Sequence, residues 1–158
     1  MKDNVKDPGS LSKGCESLRV SMASQGMPSG DISSSSAQFQ GKRVLWVDDY
    51  PENNDHFRTL LEQQGVSFTL ALTTEQGMKN LTSAKYDLVI SDMGRGPDGQ
   101  AGIHLLQQMR EAKMHVPTII FASRGAIAMY GEETKRLGAQ YATASGNILL
   151  QGMVELLA

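Results

Sequence analysis

Apolar and polar residues alternate in blocks along the chain from Lys42 onward, and the blocks have two different lengths. Five short runs are rich in aliphatic residues, as the buried strands of a parallel sheet are. These predicted strands are 43–47, 67–72, 86–91, 117–123 and 140–144. Each is followed by a longer segment whose apolar residues recur every three or four positions, which predicts a helix. The predicted helices are 51–65, 73–84, 101–112, 126–138 and 147–158.

Strands that alternate with helices in this way predict an α/β fold, a five-stranded parallel sheet with helices on both faces. Pro51 suits the first turn of a helix, and Gly65 and Gly138 suit helix ends. In a sheet of strand order 2-1-3-4-5, the first and third strands are neighbours. The functional crevice of such a sheet lies at the carboxyl ends of its strands. Four methionines at apolar helix positions are predicted to lie in the core: Met78, Met109, Met129 and Met153.

Residues 1–41 lack this pattern and are predicted to form a disordered or flexible tail ahead of a folded domain at 42–158. The 15 basic and 17 acidic residues give a net charge of −2, which lacks the basic footprint of a nucleic-acid-binding protein. No apolar run approaches the roughly 20 residues of a membrane span. The first residues are polar, and the single cysteine, Cys15, fits a reducing compartment, so a cytoplasmic location is expected.

Acidic residues stand directly after two of the predicted strands. Asp48 and Asp49 follow the first strand and Asp92 follows the third. Because these strands are neighbours in the predicted order, the three carboxylates should converge at one edge of the sheet. Unpaired carboxylates repel one another, so the cluster needs a cation, and sparse oxygen ligands favour Mg²⁺. A carboxylate beside such an ion can also attack phosphorus to give an aspartyl phosphate.

Four stretches carry a family resemblance: VLWVDDYPEN (44–53), YDLVISDM (86–93), AGIHLLQQMR (101–110) and VPTIIFAS (116–123). Together they resemble the receiver domain of two-component response regulators, the CheY-like superfamily, over residues 42–158. The resemblance implies a flavodoxin-like fold and a signalling module rather than an enzyme. It implies that Asp92 accepts phosphate from a histidine kinase or phosphotransfer protein. It also implies that Asp49, Asp92 and the carbonyl of Gly94 ligate Mg²⁺, with Asp48 acting mainly through water.

The resemblance further implies a downstream protein partner that binds the face formed by the fourth helix, fifth strand and fifth helix. The phosphate-sensing half of the site departs from the family pattern. Ala122 stands where receivers carry Thr or Ser, and Ser123 can supply the hydroxyl only if the strand ends and the chain turns there. Ala144 or Ser145 stands where the family has lysine, which removes a charge-assisted bond of roughly 1.5–3 kcal/mol from the phosphorylated state.

Alternative interpretations exist for the residues near this edge. Arg95 and Arg124 are by default solvated surface charges, although either could contact a phosphoryl oxygen in place of the lysine. The run GRGPDG (94–99) matches a dinucleotide-binding pattern but follows the wrong strand, so it is interpreted as a loop with Gly99 at positive φ. Tyr141 resembles the aromatic residue that reports the state of a receiver site, and simple packing explains it equally well.

Three other functions compete with the phosphorylated switch. The first is a pseudo-receiver, a protein-interaction module that ignores phosphorylation. The second is a small phosphatase, which would need a D-x-D arrangement that Asp48-Asp49-Tyr50 does not provide. The third is a flavin- or nucleotide-binding protein, which would need a phosphate-binding loop after the first strand, where the chain instead has the acidic YPENN.

Overall fold

The computed structural model describes residues 39–158, whose sheet has five parallel strands in the order β2-β1-β3-β4-β5. The strands are β1 (Arg43–Val47), β2 (Ser67–Ala71), β3 (Leu88–Ser91), β4 (Thr118–Phe121) and β5 (Tyr141–Thr143). The helices are α1 (Asp55–Glu62), α2 (Thr74–Ser83), α3 (Ala101–Glu111), α4 (Arg124–Arg136) and α5 (Gly146–Leu157). The predicted fold class and strand order are confirmed.

Strand β1, which lies between β2 and β3, contributes to two core layers, because successive side chains of a strand point to opposite faces. Val44 and Trp46 pack on one face with side chains from α1 and α5. Leu45 and Val47 pack on the other face, with side chains from α2 and α3. The single tryptophan, Trp46, lies at the centre of the first layer against three phenylalanine rings, with centroid distances of 5.9 to 6.3 Å.

The element boundaries differ from the predicted ones mainly where a side chain caps a helix or a proline tightens a turn. The helix predicted from Pro51 begins as a 3₁₀ turn (Pro51–Asn54) before α1. The chain then turns at Gly65, whose φ is +100°. Helix α4 begins two residues earlier than predicted, because the Ser123 hydroxyl accepts a hydrogen bond from the backbone N–H of Ala126 at 3.2 Å.

The prediction that all four helical methionines are buried is wrong for one of them. Met109 and Met153 are fully buried and Met78 packs against the second core layer. Met129 is 73% exposed on α4. The inward face of α4 consists of buried Gly131 and Thr134 with partly buried Ile127 and Tyr130, and Met129 lies outside it, so apolar spacing alone does not identify the buried face.

Most of the predicted tail lies outside the described residues, which begin at Phe39. Phe39 is only 3% exposed and belongs to the core layer of Trp46. The backbone N–H of Gly41 donates to the carbonyl of Gly65 at 3.3 Å. The described fold therefore includes three residues ahead of the boundary predicted at Lys42. Among the helices described, none has the length and apolar character that crossing a membrane requires.

Candidate functional site

Three carboxylates meet at the carboxyl edge of the sheet, as the sequence predicted. Strands β1 and β3 pair with Val47 opposite Ser91, and the backbone N–H of Asp92 donates to the carbonyl of Val47 at 3.0 Å. This register places the residues that follow the two strands side by side. One oxygen from each of Asp48, Asp49 and Asp92 lies within 4.8 Å of the others. The spacing is short enough for one cation to contact all three.

The two acids after β1 are held in different ways. Asp48 is buried and accepts hydrogen bonds from the indole N–H of Trp46 at 3.3 Å and from the backbone N–H of Tyr50 at 2.8 Å. Asp49 accepts a hydrogen bond from the backbone N–H of Gly96 at 2.7 Å. Asp48 is therefore fixed from the core side, whereas Asp49 connects the end of β1 to the loop that follows β3.

Asp92 lies in an environment that opposes its negative charge. Burial raises the pKa of the Asp92 carboxyl well above its ordinary value. The Arg95 guanidinium acts in the opposite direction, and the nearby Asp48 carboxylate raises the pKa of Asp92 further. Each acid in such a cluster makes ionisation of its neighbours harder, so the ionised site is stabilised by added positive charge.

Arg95 supplies a positive charge from inside the protein. Its side chain is 5% exposed, and Nη1 donates to Oδ1 of Asp92 at 2.5 Å and to Oγ of Ser91 at 2.9 Å. Nη2 donates to Oγ1 of Thr74 at 2.6 Å and to the carbonyl of Ala101 at 3.0 Å. The default interpretation of Arg95 as a solvated surface charge is therefore wrong. Its guanidinium joins the end of β3 to the first residues of α2 and α3.

A compact turn holds the backbone of Arg95 in place. The backbone N–H of Arg95 donates to the carbonyl of Asp98 at 2.8 Å, and the reverse bond measures 2.9 Å. Gly96 has a φ of +53°, which glycine adopts without strain, so the expectation of positive φ at Gly99 is wrong. The Asp98 carboxylate pairs with the His104 ring at 2.7 Å. The glycine-rich run 94–99 thus forms a turn closed by two backbone hydrogen bonds between Arg95 and Asp98, and this turn places Arg95 beside Asp92.

Gly102 permits a close approach between α3 and the end of β3. A Cβ atom at this position would lie 2.7 Å from the carbonyl oxygen of Asp92. The backbone N–H of Gly102 donates to the carbonyl of Met93 at 2.8 Å. Because only glycine fits without displacing the main chain of Asp92, Gly102 fixes where α3 begins relative to the site.

The remaining predicted site residues occupy separate positions along the same edge. Gly94 is exposed and lies between Asp92 and Arg95 in sequence. Strand β4 ends at Phe121, and the Ser123 hydroxyl caps α4. Ser145 caps α5 by accepting from the backbone N–H of Ile148 at 3.2 Å. Each serine hydroxyl therefore already accepts a hydrogen bond from a backbone N–H group in the first turn of a helix.

Two hydroxyl residues around Arg95 were missed by the sequence reasoning. Thr74 begins α2, and Ser91 is the last residue of β3. Neither follows a strand end in the manner of the acids, so a search of residues after strands does not find them. The spacing Asp92-x-x-Arg95 was the available signal, because residues three apart in a tight turn can face each other.

The fold and its acidic edge together define a receiver domain. The family model described as response regulator receiver domain matches residues 44–142, which is more than half of the chain. The chain therefore belongs to the receiver domain family of two-component response regulators. Receiver domains are signalling modules and in general are not enzymes. No curated protein matches the sequence.

Solved receiver structures share the fold at low sequence identity. TrrA from Thermotoga maritima, crystallised in complex with Mg²⁺-BeF, is 24% identical with a TM-score of 0.61, covering 73% of this chain and 98% of TrrA. The receiver domain of Francisella response regulator 1452 is 22% identical with a TM-score of 0.63, covering 74% and 97%. Chemotaxis regulator CheY4 of Vibrio cholerae is 18% identical with a TM-score of 0.61, covering 73% and 98%.

Proposed function

We propose that this receiver accepts a phosphoryl group on Asp92 and uses Mg²⁺ in doing so. The donor would be a histidine kinase or a phosphotransfer protein. The observation that carries the proposal is the convergence of Asp48, Asp49 and Asp92 within 4.8 Å at the end of two paired strands. A cytoplasmic location, expected from the sequence, stays a prediction within the same proposal.

The donor set fits a hard divalent cation. Carboxylate oxygens are the ligands that Mg²⁺ prefers, and its remaining positions are usually filled by water or phosphate. Asp49 and Asp92 would ligate the ion directly with the carbonyl of Gly94, and the more buried Asp48 would act mainly through water. The charge balance supports this assignment, because three clustered carboxylates face one guanidinium.

The proposed transfer is a simple substitution at phosphorus. A carboxylate oxygen of Asp92 attacks the phosphorus of a phosphohistidine, a P–O bond forms, the P–N bond breaks, and the departing imidazole nitrogen takes a proton. Bound Mg²⁺ supplies positive charge to the phosphoryl oxygens. The protein's own contribution is to hold Asp92 between β3 and α3, where the fixed main chain keeps the nucleophile in one position.

The output half of the proposal concerns the face formed by α4, β5 and α5. Three apolar side chains are exposed there: Met129 at 73%, Ile148 at 42% and Val154 at 36%. The side chain of Tyr141 lies between α5 and the sheet, where its ring approaches Gly152 and its hydroxyl donates to Glu155. A protein partner that buries this face is the proposed downstream contact. Ser123, at the start of α4, is the proposed substitute for the missing hydroxyl.

Intact-mass measurement tests the acceptor assignment. The protein is incubated with Mg²⁺ and acetyl phosphate, and the mass of one added phosphoryl group is expected on the wild type and not on Asp92→Asn. Asp55→Asn is the matched control, because Asp55 also pairs with a buried arginine three residues away but is exposed on α1. An increment on Asp92→Asn, or its loss in Asp55→Asn, contradicts the assignment.

A pseudo-receiver is the second candidate, and one observation favours it. Asp92 is already paired with Arg95 in this structure, and Ala122 stands at the family's hydroxyl position while Ala144 or Ser145 stands at its lysine position. A module of this kind would bind its partner regardless of phosphate. It becomes the preferred function if folded wild-type protein binds Mg²⁺ and yet gains no phosphoryl mass.

A further inference from the structure

Arg95 contacts the Asp92 carboxylate, and the proposed Mg²⁺ would bind the same carboxylate. Asp92 has two oxygens, and Oδ1 already accepts a hydrogen bond from Arg95 at 2.5 Å. The proposed function requires the same carboxylate to bind Mg²⁺ and to attack phosphorus. A divalent cation at Asp92 would therefore lie next to a guanidinium that carries a fixed positive charge, and the two would repel each other.

We infer that Arg95 is an internal counter-ion that competes with Mg²⁺ for Asp92 and so limits metal binding by this receiver. The inference rests on the proposed function, because it takes Asp92 as both acceptor and metal ligand. Arg95 acts here as a positioning residue that occupies the acceptor in the metal-free state. Metal binding then requires the guanidinium to loosen its contact with Oδ1.

The contacts of Arg95 explain why this counter-ion is persistent. Ser91, Thr74 and Ala101 accept three further hydrogen bonds from the two terminal nitrogens. The turn closed by Arg95 and Asp98 fixes its backbone. These contacts hold the guanidinium at the acidic edge even when its bond to Asp92 is lost, so displacement by a metal ion has to work against a fixed charge.

The same contacts also give the competition a structural consequence. Thr74 is the first residue of α2 and Ala101 is the first residue of α3. A guanidinium that loosens its contact with Asp92 while it stays at this edge must adjust its bonds to these helix starts. Metal binding at Asp92 would therefore first change the contacts at the starts of α2 and α3, which lie on the opposite face of the sheet from α1 and α5.

Calorimetric titration with MgCl₂ alone tests the inference. Arg95→Gln removes the charge while keeping a polar side chain of similar length, and we expect its Kd for Mg²⁺ to be at least tenfold lower than that of the wild type. The fluorescence of Trp46, the only tryptophan, gives a second readout because its indole donates to Asp48. Arg124→Gln is the matched control, since it removes an exposed arginine from the same edge, and its Kd should equal that of the wild type.

Two further variants separate charge from structure. Arg95→Lys keeps the positive charge and should retain a Kd within about threefold of the wild type. Thr74→Val removes one anchor of the guanidinium without touching the acids, and should tighten Mg²⁺ binding about threefold. If Arg95→Gln does not fold, as judged by circular dichroism, the Thr74→Val titration decides the question.

The inference is overturned if folded Arg95→Gln, or Thr74→Val where Arg95→Gln does not fold, binds Mg²⁺ no more tightly than the wild type. Absence of Mg²⁺ binding in every variant overturns it as well, together with the metal part of the proposed function. Failure of the proposed acceptor looks different. In that case Arg95→Gln still binds Mg²⁺ more tightly than the wild type does, while neither the wild type nor Arg95→Gln gains the mass of a phosphoryl group.

Discussion

Two regions of this receiver contain the same ion pair in different surroundings. Arg58 on α1 pairs with Asp55, and Arg95 after β3 pairs with Asp92, each three residues apart and each at 2.5 Å. Both arginine side chains are 5% exposed. The acids differ, because the side chain of Asp55 is 68% exposed and that of Asp92 is 15% exposed.

The difference shows that the acid, rather than the arginine, determines what each pair does. Arg58 lies over the ring of Trp46 at 4.9 Å and donates to the carbonyl of Pro51 at 2.5 Å, so most of its contacts are with the core and the backbone. Its partner, Asp55, is exposed to solvent. Arg95 instead neutralises Asp92, whose ionisation is opposed both by burial and by the carboxylate of Asp48. The first pair is structural, whereas the second belongs to the site.

Substitution of Arg58 should give the largest effect on stability. Arg58→Ala removes a cation–π contact of about 1 kcal/mol and a partly buried hydrogen bond to the Pro51 carbonyl of about 2 kcal/mol, so we expect the free energy of unfolding to fall by about 3 kcal/mol. Urea unfolding followed by circular dichroism measures it. The loss should be nearly the same with and without Mg²⁺, because Arg58 hydrogen-bonds to Asp55 rather than to Asp92 and its interaction with Asp48 is coulombic alone.

The comparison between the pairs fails if Mg²⁺ selectively restores the stability of Arg58→Ala. Arg95→Gln provides the contrast, since a ligand that binds only the folded state stabilises it by RT ln(1 + c/Kd) at a free ligand concentration c, and this stabilisation increases as Kd falls. Saturating Mg²⁺ should therefore raise the unfolding midpoint of Arg95→Gln more than that of either the wild type or Arg58→Ala.

Substitution of Gly102 should give the next largest effect. In Gly102→Ala the new Cβ would lie 2.7 Å from the carbonyl oxygen of Asp92, so α3 or the end of β3 must move. Overpacking of this kind costs about 2–3 kcal/mol, and the better helix propensity of alanine offsets about 1 kcal/mol of that cost. We expect a net loss of about 1–2 kcal/mol by urea unfolding.

Gly125→Ala is the matched control for this change. Gly125 lies in the first turn of α4 and a Cβ there meets nothing within 4 Å. The substitution should leave stability unchanged or raise it slightly. Equal losses at the two glycines would show that helix α3 does not depend on the close approach at Asp92, and the argument that Gly102 positions the site would be wrong.

The sequence predicted those parts of the fold that depend on local pattern. The apolar run 43–47 coincides with β1, and the position of Asp48, Asp49 and Asp92 directly after strands placed them at one edge once the strand order was assumed. Each of these inferences uses the identity of a residue and its distance along the chain. Nothing about a neighbouring helix has to be known.

The errors have a common physical cause, which is dependence on contacts between distant segments. Arg95 is buried between helices, and its guanidinium donates hydrogen bonds to Thr74 of α2 and Ala101 of α3. The spacing of residues along the chain does not predict either partner. Met129 is exposed because Ile127, Tyr130 and Thr134 form the inward face of α4, on the side that packs against the rest of the fold. Positive φ falls at Gly96 rather than Gly99 because the turn closes between Arg95 and Asp98.

Substitution of His104, which pairs with Asp98 in the turn that holds Arg95, should give the smallest effect. The effect is a change in the pH at which Asp98 titrates. The His104 pair acts on an Asp98 side chain that is 40% exposed. Slight burial raises the pKa of Asp98, but the hydrogen bonds from His104 and the backbone of Gln100 outweigh it and bring the pKa below the ordinary 3.8. A carboxyl with a lowered pKa stabilises the fold above its unfolded pKa, and this contribution is lost as the pH falls through the folded pKa.

We therefore expect the carboxyl carbon of Asp98 to titrate below pH 3.8 in an NMR experiment on the wild type, and closer to 3.8 in His104→Ala. His115→Ala is the control, because it removes an exposed histidine from the loop after α3 and should leave the Asp98 titration unchanged. Exposed pairs contribute about 0–1 kcal/mol, so the unfolding midpoint should move little. A large loss of stability in His104→Ala would instead show that the turn depends on this pair, and that Arg95 is held less firmly by its buried hydrogen bonds than the structure indicates.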